Sequence, residues 1–523
     1  MTTLYTLTGL LTCAILLTWV AHRVGVPFPI VLVLGGGLLG FVPGLPEIPF
    51  DPDLILALML PPVLFAAAYQ TSLRDFKRQL RAISLLAIGL VIVTTLGVGA
   101  VLKWLLPDIP WAVAFTFGAI VSPPDAVAAT SIFSRLRAPR ILVTTVEGES
   151  LLNDASALVL YKFAVVAVLT GAFTVRSASL EFIYVAGGGL LIGWLGGRAL
   201  NWVSIRMRDP QLQVMFSLVI PYLVYLAAES AHTSWVLAVV ASGLVGARCL
   251  SEAYSAEMRI LAWSFWQVVT ILLVCLVFIL IGSQLHAIVQ RMTPDQLPQM
   301  LLMSAALTAA AIAIRMLWVF PGAYLPRKFD EVVLKRTVHY PSWQYLVILG
   351  WCGMRGIVSL VAVLALPLTL ADGTPFPFRD QLIVLTFVVT LLTLVIPGLT
   401  LAPLMRALRI RGDADAPEEQ RLAREETARA AIHRIERFER EGVLTADIAE
   451  HLRRDYEARL HHTSAHRWLM SYDSDPYFKG KRAALAAERE RLLALSRSQR
   501  ISDDVLHEIE REIDFEETRL PRG

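Results

Sequence analysis

The segment Glu147-Gly148-Glu149-Ser150-Leu151-Leu152-Asn153-Asp154 sets three carboxylates, a hydroxyl and an amide in a run that stays apolar to Ala167 except for Lys162. A charge at membrane depth costs about 2.5–3.5 kcal/mol on insertion scales, so such groups need partners or a task. Helical spacing sorts them. At about 100° per residue, Ser150 and Asp154 share a face, and Glu147 lies one turn further along it. Glu149 points about 140° away from Asp154, with Asn153 between them. Ser150 and Asp154 can therefore act on one object, while Glu149 must meet another helix. A carboxylate in this position suits cation or proton binding, because either one neutralises it. The alternative is an ion pair for Asp154, but no Lys or Arg lies one turn away on its face, and Lys162, two turns on, can snorkel.

Two interrupted segments supply partner surfaces. Ser122-Pro123-Pro124-Asp125 contains consecutive prolines, which donate no backbone hydrogen bonds, so a helix must open there. Opening bares carbonyls and amides, which membrane depth tolerates only inside protein or along a cavity. Bare carbonyls, that of Pro124 among them, suit a hard cation, and Asp125 can neutralise a helix N-terminus. A plain proline kink capped by Asp125 is the alternative. The second interruption is Gly350-Trp351-Cys352-Gly353-Met354-Arg355-Gly356. Buried Arg355 needs a carboxylate or several carbonyls, and Glu149, facing away from Asp154, is the natural candidate. Arg315, in Ala313-Ile314-Arg315-Met316, is a second intramembrane cation whose partner the sequence does not identify. Glu229 sits near a span end, where solvation would suffice.

The elements that must hold these groups are membrane spans. The chain has 523 residues, 55% hydrophobic and only 17% charged, against about 25% charged in soluble domains. Uncharged runs of about 18–25 residues recur, the length that crosses roughly 30 Å of hydrocarbon. They predict an all-α polytopic membrane domain over residues 1–411, with about thirteen spans centred near residues 13, 34, 62, 92, 120, 157, 192, 219, 240, 273, 309, 354 and 392. One alternate set of loops carries Arg23; Arg74, Lys77, Arg78 and Arg81; Arg135, Arg137 and Arg140; Arg198, Arg206 and Arg208; Arg248 and Arg259; and Arg327, Lys328, Lys335 and Arg336. The other set carries little beyond Lys103, Arg176, Arg291 and Arg379. The basic set is cytoplasmic by the positive-inside rule, which puts the N-terminus outside and the tail inside. The two interruptions fall in the fifth and twelfth spans, corresponding places in two six-span halves if the seventh is a linker. That correspondence points to a transporter site. The apolar run from Leu4 lacks the basic start of a signal peptide.

Other chemistries are poorly served. Cys13, Cys249, Cys275 and Cys352 lie in apolar runs without metal or disulfide spacing. The ten histidines are mostly in loops and the tail, so an embedded enzyme lacks its cluster. No cofactor is expected. The net charge of +3 is near neutral and says nothing about partners; no nucleic-acid partner is expected. Residues 412–523 turn rich in Glu, Arg and Ala and read as a soluble helical cytoplasmic domain. Gly442 can stop one helix, Thr445 can cap the next, and Ser502-Asp503-Asp504 can start another. A partly disordered tail and a coiled-coil arm are the alternatives.

These motifs resemble the monovalent cation:proton antiporter-1 family, in particular its bacterial sodium/proton exchangers with a soluble tail. The resemblance rests on Gly148 to Asp154, Ser122-Pro123-Pro124-Asp125-Ala126-Val127-Ala128, Leu60-Pro61-Pro62-Val63-Leu64-Phe65, Ser242-Gly243-Leu244 and Gly353-Met354-Arg355-Gly356, and covers roughly residues 5–410. It implies two inverted six-helix repeats with two discontinuous helices, a homodimer, and exchange of Na⁺, or K⁺ or Li⁺, for H⁺ across the bacterial inner membrane. It implies that Asp154 binds cation or proton, with Ser150, Asn153, Asp125 and the Pro124 carbonyl around it. Asn153 stands where an electrogenic branch carries another acid, so a 1:1 electroneutral exchange is implied. Glu149 and Arg355 would form a structural pair. An uncoupled channel or uniporter on the same path is the alternative. Three positions depart from the pattern: Pro124 where relatives often carry Thr, Ala66 where they often carry an acid, and Val274 where many carry a polar residue.

Overall fold

The computed structural model describes residues 2–41, 52–136, 138–170, 175–290, 296–335, 340–370, 373–410, 416–464 and 476–498, together with 509, 513 and 515–517. The described residues are helical, with turns and a single isolated bridge between Thr369 and Pro375. The chain divides into two compact units, Met1–Gly412 and Asp413–Gly523.

The first unit opens with α1 (Thr2–Val24), α2 (Phe28–Gly40) and α3 (Pro52–Gln70). Then α4 (Leu73–Ser84) runs through a π-helical stretch, Leu85–Leu90, into α5 (Val91–Leu105). Next come α6 (Trp111–Val121), α7 (Ala126–Leu136), α8 (Arg140–Thr170), α9 (Val175–Arg206) and α10 (Pro210–Ser230). The unit ends with α11 (Trp235–Glu252), α12 (Ala256–Gln290), α13 (Leu297–Val332), α14 (Trp343–Trp351), α15 (Ile357–Leu364) and α16 (Arg379–Ala407). Every predicted centre falls inside a helix, except 354, which falls in the gap between α14 and α15. Short connections are made possible by side-chain caps: Ser72, Asp209, Ser234 and Ser342 each accept from a backbone N–H in the first turn that follows.

Among the described residues, eight helical stretches are long and apolar enough to cross a membrane, and four shorter apolar helices accompany them. Their outward faces are apolar too: Leu191, Trp194 and Leu195 on α9, Val268 on α12, and Leu302 and Leu317 on α13 are exposed. In water such a surface would aggregate, whereas lipid matches it. The chain is a multi-pass membrane protein. Near helix ends, the Arg206 guanidinium lies 3.3 Å over the Trp202 ring and that of Arg23 4.9 Å over Trp19, as expected of aromatic anchors at a lipid–water boundary. Helices close on one another through small residues. Where α2 crosses α12, Gly36 faces the Ile279 carbonyl and Gly282 faces the Val33 carbonyl, with no room for a side chain at either.

Two elements are broken, at the proline and glycine segments, although Pro61-Pro62 lies within the continuous α3. α6 and α7 are parted by Ser122–Asp125, and α14 and α15 by Cys352–Gly356. The breaks pack against each other: the Asp125 N–H donates to the Met354 carbonyl at 2.6 Å. At Gly356 an added Cβ would run into the Asp125 carboxylate, so only glycine allows this approach.

The second unit contains α17 (Ala416–Arg440), α18 (Ala446–Ser464) and α19 (Pro476–Arg497). Gly442, with φ of +71°, turns the chain just beyond α17, and Thr445 directly precedes α18. Arg453 of α18 donates to Glu439 of α17 at 2.8 Å. Leu485, Leu492 and Ile513 form a small apolar cluster. The expected helix start at Ser502–Asp504, and Arg137, Arg291 and Arg336, lie outside the described residues.

Candidate functional site

α8 carries its polar groups into the region of the two breaks. Glu149, Asn153 and Asp154 are buried, and Ser150 is half-buried. The Ser150 hydroxyl oxygen accepts from the Ala126 N–H, the first amide of α7, at 3.3 Å. Asn153 donates through Nδ2 to the Pro124 carbonyl at 3.0 Å. That acceptor fixes which way the amide points, because a flip would set two oxygens against each other. Asn153 Oδ1 is then buried without a hydrogen-bond partner among the described residues.

Asp125 joins the two breaks. One carboxylate oxygen accepts from the Val127 N–H at 2.9 Å, and the Ile357 N–H also donates to the carboxylate. A single acid thus caps the N-termini of α7 and α15, where both helix dipoles present positive ends. The expectation that Asp125 neutralises a helix terminus understates its role, since it serves two.

Arg355 is the counterpart at the opposite ends. Its Nε donates to the Val121 carbonyl, the last of α6, at 2.9 Å, and its Nη1 donates to the Gly353 carbonyl. Its own N–H donates to Thr393 Oγ1 at 3.3 Å. The expected pair of Arg355 with Glu149 therefore does not form. Glu149 receives both Nη atoms of Arg315, with Nη2 at 2.7 Å from Oε2. Arg315 also donates to the Leu349 carbonyl, from Nη2 at 3.0 Å and from Nε at 3.2 Å. The physical reason lies in the breaks, whose freed carbonyls satisfy Arg355, leaving Glu149 for the arginine of α13. Glu149 does face away from Asp154, as its helical position requires. Sequence reasoning missed Thr393 altogether, and it named Arg315 as an intramembrane cation but not its partner, Glu149. For Arg315 the signal was present, a bare cation in an apolar helix, but two arginines competed for one acid.

Asp154 is different. It is 7% exposed and has no hydrogen bond or basic partner among the described residues; its electrostatic neighbour is another acid, Asp125. Lys162 is exposed, which removes the ion-pair alternative within α8. Glu229 is exposed and free to be solvated. Ala66 and Val274 are buried apolar residues, 1% exposed each, and offer no ligand. Asp154 thus has Asp125 as its electrostatic neighbour, and the residues one and four positions before it on α8 hydrogen-bond to the α6–α7 break, Asn153 to the Pro124 carbonyl and Ser150 to the Ala126 N–H. Groups of these types can hold a hard cation or a proton.

The family model described as "Sodium/hydrogen exchanger, transmembrane" matches residues 10–407. A protein of Escherichia coli described as an uncharacterized Na(+)/H(+) exchanger is 32% identical, covering 98% of this chain and 98% of that protein. A Bacillus pumilus protein named as a sodium, potassium, lithium and rubidium/H(+) antiporter is 32% identical, covering 83% of this chain and 66% of that protein. Among solved structures, the sodium proton antiporter of Methanocaldococcus jannaschii superposes with a TM-score of 0.60 at 21% identity, covering 78% of this chain and 99% of that one. The last likeness concerns the fold.

Proposed function

Because this chain belongs to the sodium/hydrogen exchanger family, we propose that it is a secondary active antiporter that exchanges a monovalent cation for H⁺ by alternating access. The family is one of transporters, and its members move ions instead of transforming a substrate. The observation that carries the reading is Asp154, a buried carboxylate without a partner among the described residues, while Arg315 and Arg355 are satisfied elsewhere. A bare carboxylate facing a closing membrane is costly. A proton neutralises it, and so does a bound cation, so only those two forms cross cheaply. Competition for one carboxylate gives obligatory exchange, one cation for one proton.

Na⁺ is the first cation to test, with K⁺ and Li⁺ beside it; the name of the Bacillus pumilus relative spans all three. Ser150, Asn153 Oδ1, Asp125 and the Pro124 carbonyl are the proposed further ligands. The unit Met1–Gly412 is the exchanger domain, with thirteen crossings in two inverted repeats, working as a homodimer. It sits in the bacterial cytoplasmic membrane with its N-terminus outside and the second unit in the cytoplasm, following the distribution of arginine and lysine.

Everted vesicles carrying a pH gradient report exchange as fluorescence dequenching on addition of each chloride salt. Asp154→Asn is expected to abolish dequenching while the protein still inserts and melts as the parent does. Cation-dependent proton flux persisting in that variant would overturn the proposal.

A further inference from the structure

Two acids on α8 lack partners among the described residues, and only Asp154 has been given a task. Glu147 lies seven residues before it, which returns it to within about 20° of the same face. The backbone separation is about 10 Å along the axis. Glu147 is half-buried, and among the described residues it has neither a hydrogen bond nor a charged partner. Ser150 stands on the same face between the two. The third acid, Glu149, points elsewhere and is consumed by Arg315. Beside Glu147, Gly148 packs on Phe76 and Ile83 of α4.

We infer that Glu147 is a second, transient binding site for the transported cation, on the approach to Asp154 from the N-terminal end of α8. This rests on the antiporter reading above. The separation is too long for one ion to be shared, because a hard cation sits roughly 2.3–2.6 Å from its oxygens. The ion would therefore rest at Glu147, pass the Ser150 hydroxyl, and settle at Asp154. A half-buried carboxylate suits such a stop: it attracts the ion but retains water, so it releases it again. Glu147 faces the cytoplasmic side in the proposed orientation, so it acts on cytoplasmic cation alone.

The test uses the full chain in proteoliposomes, with cation titrated separately on each side. Glu147→Gln is expected to raise the apparent KM for Na⁺ on the side of the α8 N-terminus by about fivefold, the factor for losing one carboxylate–cation contact in a solvated setting. The KM on the other side and the maximal rate stay at parental values, and Glu147→Asp recovers most of the loss. A merely structural role would alter both sides or the maximal rate together. Unchanged KM values, a symmetric change, or complete loss of exchange in a variant that melts normally would each overturn the inference. Asp154→Asn, run in parallel, keeps the two readings apart. If it is inactive while Glu147→Gln behaves as the parent, this inference alone fails; if it remains active, the antiporter reading fails.

Discussion

Glu149 and Arg315 share two charge-assisted hydrogen bonds where neither side chain meets solvent. Removing one partner from such a pair strands the other, at a cost of about 3–5 kcal/mol, whereas replacing both by apolar groups is often close to neutral. Arg315→Met and Glu149→Leu should each lower the melting temperature of detergent-solubilised protein sharply. The double variant should recover most of the loss. Combining Glu149→Leu with Arg355→Met should bring no recovery, because Arg355 is held by carbonyls. Additive losses in the first pair would contradict the pairing. The same residues mark how far the sequence carried. The faces of α8 were legible, since a 3.6-residue period assigns directions along one helix. The allocation of Glu149 to one of two arginines was not. It depends on which helix lies beside α8, and spacing along a single helix holds no record of its neighbours.

At the scale of elements, the breaks were visible at Pro123-Pro124 and around Gly353 and Gly356, although the same Pro-Pro pair at Pro61-Pro62 leaves α3 continuous. Their meeting was not, because the contact joins segments more than two hundred residues apart: Asp125 to Met354 and Ile357. The crossing balances four helix ends with two side chains, Asp125 at the N-termini of α7 and α15 and Arg355 at the carbonyls of α6 and the α14 break. The π-helical stretch at Leu85–Leu90 left no mark in the hydropathy pattern, which runs unbroken through it. The crossing depends on bare backbone at Gly356. A methyl group there meets the Asp125 carboxylate and must push the two breaks apart. Gly356→Ala should therefore slow exchange by on the order of tenfold or more, as small misplacements of reacting groups do. Gly187→Ala, at a site with nothing within 4 Å of the added Cβ, should exchange ions at the parental rate. Vesicle dequenching measures both, and equal rates for the two variants would mean that the crossing is looser than its packing implies.

Across the whole molecule, stoichiometry follows from which charges travel. Asp125 and Arg355 are tied to helix ends and Glu149 to Arg315, so these charges keep their partners in any state that preserves the crossing. Glu147, in the proposed orientation, belongs to the cytoplasmic approach alone. On the proposed reading, that leaves Asp154 as the single carboxylate that carries its occupant across, and Asn153 beside it adds no second titrating group. With a cation in one direction and a proton in the other, each half-cycle moves the same net charge, and the full cycle moves none. If the proposed 1:1 exchange holds, membrane voltage does no work on it. The alternative, two protons for each cation, would move one charge per turnover, which 100 mV biases by about 2.3 kcal/mol, or roughly fiftyfold in the final ion gradient. Proteoliposomes held at a fixed pH difference should therefore reach the same Na⁺ gradient at zero and at about 100 mV of imposed potential. A shift of that fiftyfold size would require a second travelling charge, and Asp125 would be the first residue to re-examine.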